Sequence, residues 1–186
     1  LETANGYKYK ADFLDTKMEA FKILENRIPS FYLSFEIALE KLNVMFNSSP
    51  QHFFIRTKAT LLHNILVNEI KTYFQESETV EFFEDYETLV ILFDNKVSVR
   101  FKKLNEFGLS SNVKTFRNDS IINQQMDIPF AEYPKVIGVE AGYVIDDTWT
   151  VYISLDIVYR KNSEILWSIP IQNDSGENTQ PITDTK

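Results

Sequence analysis

Apolar residues in the first part of the chain recur at intervals of three and four positions, which is the period of an amphipathic α-helix. The pattern predicts a helix over residues 11–25, a second that follows Pro29 and Ser30 and ends before residue 50, and a third over residues 51–74. The third helix has the longest periodic run, and its apolar side is formed by Phe54, Leu61, Leu62, Ile65, Leu66, Ile70 and Phe74. The second is apolar around most of its circumference, so we expect other elements on both sides of it.

Beyond residue 76 the apolar period changes to two, which is typical of strands with one buried face. After a short strand near residues 80–83, the runs 88–93 and 97–104 flank Asp94, Asn95 and Lys96, which predicts a β-hairpin. A three-residue loop, with a two-residue loop as the alternative, places Leu89, Ile91 and Phe93 opposite Phe101, Val99 and Val97. The other face then carries Val90, Leu92, Ser98, Arg100 and Lys102.

Residues 135–145 and 149–159 predict a second hairpin, joined by Asp146, Asp147 and Thr148. With that loop, ten apolar residues face one another: Ile145, Tyr143, Ala141, Val139 and Ile137 lie opposite Trp149, Val151, Ile153, Leu155 and Ile157. A short helix is predicted from residue 119 or 120 to 126, and a final strand over residues 164–171.

Helices followed by strands with tight turns predict an α+β fold. We expect N-terminal helices, then a mostly antiparallel sheet of about six strands with the long third helix packed on it. We divide the chain into a helical appendage (1–50), an α+β core domain (51–171) and a polar tail (172–186) that we expect to be disordered.

The composition restricts the class of protein. The 186 residues carry a net charge of −8, 44 % are hydrophobic and none is cysteine. The apolar content is too high for a disordered chain, and the lack of cysteine excludes disulfides and thiolate metal sites. No apolar stretch approaches the ~20 residues needed to cross a bilayer, so we expect a cytoplasmic protein with no membrane partner. The acid excess disfavours a general DNA-coating role, which requires a basic surface.

The motifs of common enzymes are missing from the sequence. It has no glycine-rich phosphate loop and no Gly-x-Ser-x-Gly nucleophile elbow. The two histidines, His52 and His63, lie ~16 Å apart if both are on one helix, which is too far to share a metal ion. We therefore predict no cofactor and no metal site, and favour a protein that is not an enzyme. We interpret His63 as a hydrogen-bonding residue at a helix–sheet interface.

The polar side of the second hairpin is the first candidate site. In the predicted register Gly142 faces Tyr152, Glu140 faces Ser154 and Gly138 faces Asp156. Glycines within strands indicate that another backbone or a ligand approaches closely. The simpler interpretation is an exposed sheet face that a helix crosses. The functional interpretation is a polar groove formed by His63, Glu140, Tyr152, Ser154 and Asp156.

Basic residues on the first hairpin form the second candidate site. The simpler interpretation is that Arg100, Lys102, Lys103 and Lys96 pair with the acidic run at residues 76–87. The functional alternative is an anion-binding or nucleic-acid-binding strip formed by Arg56, Arg100, Lys102 and Lys103.

The order of a helix, three strands, a helix and a strand resembles the core of PD-(D/E)xK nucleases. That resemblance implies two carboxylates that hold Mg²⁺ and a lysine that assists the attacking water. The corresponding triplet here is Arg100-Phe101-Lys102, in which an arginine replaces a metal ligand. The resemblance therefore implies a degenerate site.

Four short motifs carry a second resemblance. They are RTKA at 56–59 with His63, RFKKL at 100–104, SSN at 110–112 with Thr115, and LWSIP at 166–170. They are similar to an uncharacterised bacterial and prophage family over residues 51–171. Such proteins are often encoded beside helix-turn-helix regulators that carry a zinc-metallopeptidase domain of the ImmA/IrrE type. The resemblance implies a regulatory or antiphage defence role, with such a regulator as a partner. The His-Glu-x-x-His motif of the peptidase is itself absent from this sequence.

Two functional hypotheses follow. The first is a non-catalytic module of a bacterial or phage regulatory or defence system that binds another protein through the sheet edge, the helical appendage or the acidic segment. The alternative is a degenerate or active PD-(D/E)xK-like nuclease or nucleic-acid-binding domain. In that alternative the basic strip binds phosphate, and Glu140 or Asp156 holds a metal ion.

Overall fold

The computed structural model describes residues 4–48, 53–85, 88–110, 136–161 and 164–173, with the backbone alone for residues 4–13, Asp85 and Thr88. Three α-helices and six strands lie in this part of the chain: α1 (Ala4–Leu24), α2 (Ile28–Asn47), α3 (Ile55–Phe74), β1 (Val80–Asp85), β2 (Thr88–Phe93), β3 (Val97–Lys103), β4 (Ile137–Ile145), β5 (Tyr152–Lys161) and β6 (Glu164–Pro170). The predicted α+β fold is confirmed. The short helix predicted near 119–126 and the tail from 174 onward lie outside the described residues.

The six strands form one sheet in the order β1-β2-β3-β4-β5-β6. Every neighbouring pair is antiparallel except β3 and β4, which run parallel. The prediction of a mostly antiparallel sheet is therefore confirmed. The parallel pair sets Arg100 beside Glu140, and this pairing determines the chemistry of the sheet face described below.

Helices α2 and α3 cover one face of the sheet. The fully buried ring of Phe31 on α2 contacts Phe74 of α3 at 5.6 Å between centroids, and also Phe93 and Phe101 of the sheet at 5.8 and 5.9 Å. Edge-to-face contacts of this kind add to the free energy gained by burying the rings. The helix α2 thus shares its hydrophobic core with the sheet. The division of the chain at residue 50 stays a prediction.

The first predicted hairpin is confirmed in its register. Ile91 pairs with Val99 and Phe93 with Val97, and residues 94–96 form the turn. Asp94 and Asn95 adopt positive φ angles of 50° and 56°, a conformation that short polar residues tolerate better than most. The predicted three-residue loop is therefore confirmed, and the two-residue alternative is wrong.

The predicted register of the second hairpin is wrong. Tyr143 lies opposite Leu155 and not Val151, and the turn extends from Asp146 to Val151. The carboxylate of Asp146 accepts hydrogen bonds from the backbone N–H groups of Thr148, Thr150 and Val151, which stabilise this longer turn. Because the displacement from 151 to 155 is an even number of residues, Tyr143 and Leu155 keep their buried face.

Two of the five residues that were expected in the core on this strand are exposed, while Trp149, Leu155 and Ile157 are buried. Val151 is 61 % exposed and Ile153 is 68 % exposed. Val151 lies in the turn before β5, and a β-bulge opposite Val144 and Ile145 leaves Ile153 without a partner in the ladder. No helix among the described residues has the length and apolar character needed to cross a membrane.

Candidate functional site

A buried ion cluster lies on the sheet face opposite α2 and α3. Side chains alternate along a strand, so Arg100 on β3, Glu140 on β4 and Arg160 on β5 all point to this face. The parallel pairing of β3 with β4 places Arg100 directly beside Glu140. An Nη2 atom of Arg100 lies 2.7 Å from Glu140 Oε1, and Nη2 of Arg160 lies 3.1 Å from the same oxygen. All three side chains are buried.

The second oxygen of Glu140 is also occupied. Ser110 donates its hydroxyl to Glu140 Oε2 at 3.0 Å and accepts a hydrogen bond of 2.7 Å from Arg160. Both oxygens of Glu140 therefore accept hydrogen bonds from the chain itself. A divalent cation at Glu140 would have to displace these donors and lie beside two guanidinium groups. This arrangement favours a structural role for Glu140.

The loop after β3 carries Ser110 over this face of the sheet. A β-bridge joins Leu104 to Ser110, and the backbone N–H of Leu104 donates to the carbonyl of Tyr143 at 2.8 Å. The side chain of Leu104 lies directly over Gly142, where an added Cβ would come within 2.4 Å of its carbon atoms. The close neighbour predicted for a strand glycine is therefore the chain's own Leu104.

Lys102 lies next to the ion cluster, and the charge of Lys102 is felt by His63. Burial lowers the pKa of Lys102, and the positive charge of Arg100 lowers it further, while Glu140 acts in the opposite direction. Burial also lowers the pKa of His63 on α3 below 6.5, with a second contribution from the charge of Lys102. Both groups are thus biased towards their neutral forms.

The structure separates the basic residues of the predicted anion-binding strip. Lys103 lies on the opposite face from Arg100 and Lys102, and its ammonium is 4.6 Å from the centre of the Trp149 ring. Arg56 lies exposed in the first turn of α3. In the described part of the chain, Arg100 and Lys102 alone among these four residues share one electrostatic environment.

The structure also separates most residues of the predicted polar groove. Glu140 lies opposite Val158 and not Ser154, while Asp156 lies opposite Gly142. The hydroxyl of Tyr152 donates to the backbone carbonyl of Phe35 at 2.9 Å, on the helix-covered face. Within the described ranges, no group of three or more acidic or histidine residues is placed to hold a metal ion.

A groove that the sequence did not reveal lies between α2 and the edge of β5. Its volume is about 430 Å³, and it is lined by Tyr32, Glu36 and Leu39 of α2, by residues 150–155, and by Ile171. Two of these six consecutive residues, Thr150 and Val151, belong to the turn, and the other four begin β5, so the groove lies where the turn meets the strand. We call this the interaction groove. The sequence does contain one indication of this groove: the apolar alternation extends further along residues 149–159 than along residues 164–171, so the two strands differ in length.

The groove exists because β6 is shorter than β5. The last paired residues are Asp156 and Pro170, followed by one hydrogen bond of 2.9 Å from the N–H of Ile171 to the carbonyl of Leu155. Beyond this point, residues 152–154 continue β5 without a neighbour on the β6 side among the described residues, while the backbone N–H groups of Thr150 and Val151 are hydrogen-bonded to Asp146. The chain therefore leaves part of a strand edge without a described partner.

No protein-family model, curated protein or solved structure matches this chain. The two resemblances, one in the order of the elements and one in the short motifs, therefore stay predictions, and function has to be inferred from the geometry.

Proposed function

We propose that this chain is a non-catalytic protein-interaction module and that it binds its partner in the interaction groove. The observation that carries the proposal is the exposure of Val151 and Ile153, which line the groove at the beginning of β5. Neighbouring exposed apolar side chains are typical of surfaces that another protein covers.

The ion cluster supports the same proposal, because its charged groups are already engaged. Glu140 accepts hydrogen bonds from two arginines and a serine, and this leaves the nuclease alternative without an available carboxylate at that position. The nucleic-acid alternative is also less well supported. Lys103 and Lys102 point to opposite faces of the sheet and do not form one phosphate-binding surface.

The motif resemblance supports a more specific form of the proposal. We propose that the module acts in the cytoplasm as part of a bacterial or phage regulatory or defence system. Its partner would then be a regulator of the helix-turn-helix or metallopeptidase kind. An acidic chain is suited to a basic partner of that kind, because complementary charge accelerates association.

Selection from a displayed library of random peptides tests the proposal. The immobilised full chain should enrich peptides whose affinity falls by about tenfold or more in the double variant Val151→Asp with Ile153→Asp, since carboxylates in an apolar contact are costly to desolvate. The matched control is Leu14→Asp with Met18→Asp, which changes two equally exposed apolar residues on α1. The control should retain full affinity.

Two results would contradict the proposal. One is a library that yields no binder, and the other is a set of binders with the same affinity for both double variants. Circular dichroism and thermal unfolding of each variant confirm that the fold is intact. We expect both double variants to keep the fold, because all four substituted residues are exposed.

A further inference from the structure

We infer that the chain self-associates through α1, and that two copies pack their first helices against each other in antiparallel orientation. The contact is formed by three exposed apolar residues of this helix, Leu14, Met18 and Phe21, which we call the α1 stripe. The inference is independent of the proposed function, because the interaction groove contains no residue of α1. Two features carry it: the exposure of the stripe and the arrangement of charges beside it.

The α1 stripe is a continuous apolar surface. Its residues follow one another at intervals of four and three, so they lie in one row on the helix. Leu14 is 63 %, Met18 is 69 % and Phe21 is 43 % exposed, while Ala20 and Leu24 on another side of the helix are buried in the chain's own core. Single exposed apolar side chains are common, but a row at this spacing is typical of a helix that packs against another helix.

The charge around the α1 stripe favours a second copy over other occupants. Residues 14–24 carry two acidic and two basic side chains, so this surface is neutral although the whole chain has a net charge of −8. A strongly charged protein gains little attraction from a neutral surface, and a helix that binds a membrane surface has a polar face rich in lysine and arginine. Two acidic chains repel each other least where each presents a neutral surface.

One flank of the α1 stripe determines the orientation of the two helices. Asp15 and Lys22 lie on this flank because they are seven residues apart, and both are exposed and form no ion pair among the described residues. A twofold axis near Met18 sets this flank against itself, so that Asp15 of each copy lies opposite Lys22 of the other copy. The middle of the stripe and the middle of the charged pair thus coincide. A parallel arrangement would instead bring Lys22 towards Lys17 of the second copy, and the two lysines would repel each other.

Disulfide cross-linking of the full chain tests the orientation, because the chain has no cysteine of its own. Met18→Cys should form a disulfide-linked dimer on mild oxidation, whereas the matched control Met45→Cys, an exposed methionine of α2, should stay monomeric. A mixture of Leu14→Cys and Phe21→Cys should give mostly the mixed dimer. In the antiparallel pair these two positions lie ~1.5 Å apart along the helix axes, whereas each lies ~9–12 Å from the same position of the second copy.

Sedimentation velocity of the unmodified chain measures the association itself. The α1 stripe is small compared with the ~800 Å² that each partner buries in a standard interface, so the dimer should dissociate on dilution. The variants Asp15→Lys and Lys22→Asp should each raise the dissociation constant about two- to fivefold, and their combination, which restores opposite charges, should recover most of the affinity. Leu14→Asp with Met18→Asp should sediment as a monomer at every concentration.

Four results would overturn the inference. The first is a parent chain that remains a monomer at about 1 mM. The second is a predominance of the two single-position dimers in the cysteine mixture, which indicates a parallel pair. The third is a dimer that persists in Leu14→Asp with Met18→Asp, which shows that another surface associates. The fourth is binding of the chain to phospholipid vesicles that this double variant abolishes, which identifies a lipid surface as the occupant. Peptide binding in the interaction groove is unaffected by each of these results.

Discussion

Replacing Gly142 with alanine tests how the loop after β3 is held against the sheet. The added Cβ would lie 2.4 Å from Cγ and Cδ1 of Leu104 and 2.8 Å from Cδ2. Carbon atoms in favourable contact are ~3.5–4.0 Å apart, so the leucine or the strand has to move by more than about 1 Å. Leu104 is only 3 % exposed and has little room in which to do so.

The expected destabilisation follows from this crowding. Overpacking a filled site costs about 1–3 kcal/mol of unfolding free energy. The variant Leu104→Ala removes all three crowding atoms, and by itself costs about 2–5 kcal/mol because it leaves a cavity. In that background, Gly142→Ala should stabilise the protein by about 0.5–1 kcal/mol, since alanine restricts the unfolded chain more than glycine does. Gly142→Ala should therefore destabilise the parent chain and stabilise the Leu104→Ala variant. The coupling energy between the two substitutions is then at least about 1.5 kcal/mol.

Urea unfolding of the four proteins, followed by tryptophan fluorescence, measures this coupling. The midpoint should shift with an unchanged m-value if the native state keeps its compactness. An equal effect of Gly142→Ala in both backgrounds would show that Leu104 does not crowd this position. A neutral effect in the parent chain would refute the reasoning as well.

Three further predictions concern ionisable groups. The variant Glu140→Gln should destabilise the fold by about 3–5 kcal/mol in urea unfolding, because two buried guanidinium groups lose their counter-charge. The control variant Glu164→Gln, at an exposed position, should change the stability little. Equal effects of the two variants would contradict a buried ion pair. Hydrogen bonds from its own turn hold the pKa of Asp146 well below its usual range, so this carboxylate adds stability above about pH 4 that is lost as the pH falls. Asp146→Asn should therefore flatten the acid limb of the stability profile, and an unchanged limb would refute this. The pKa of His63, measured by NMR, should lie below 6.5 and rise in Lys102→Met, whereas an unmoved value would exclude the electrostatic contact.

The local sequence pattern predicted the elements well because each pattern has one physical cause. The period of the apolar residues at 55–74 and at 88–103 reflects which side of a helix or strand is buried. The register of the first hairpin followed from the same pattern, since its turn is short and its residues tolerate positive φ. The predicted register of the second hairpin is wrong because the carboxylate of Asp146 stabilises a longer turn. The apolar period of two could not reveal this, since it is the same in every register displaced by an even number of residues.

The candidate sites depended on contacts that no local pattern encodes. The sequence assigned Arg100 to the basic strip and Glu140 to the polar groove. The two residues meet because β3 and β4, which are distant in the chain, pair in parallel. Lys102 and Lys103 are adjacent in sequence, yet the strand sends them to opposite faces. The interaction groove results from the early end of β6 beside β5, which the isolated strands do not show.

The sequence by itself determined the types of the elements, their order and the side that each buries, because these depend on interactions between residues close in the chain. The tertiary structure alone decided the parallel pairing, the burial of Glu140 between two arginines and the groove between α2 and the beginning of β5. Those features depend on which strands become neighbours and where each one ends. The pairing of the strands and their ends depend on the packing of the whole core, to which many residues distant in the chain contribute together.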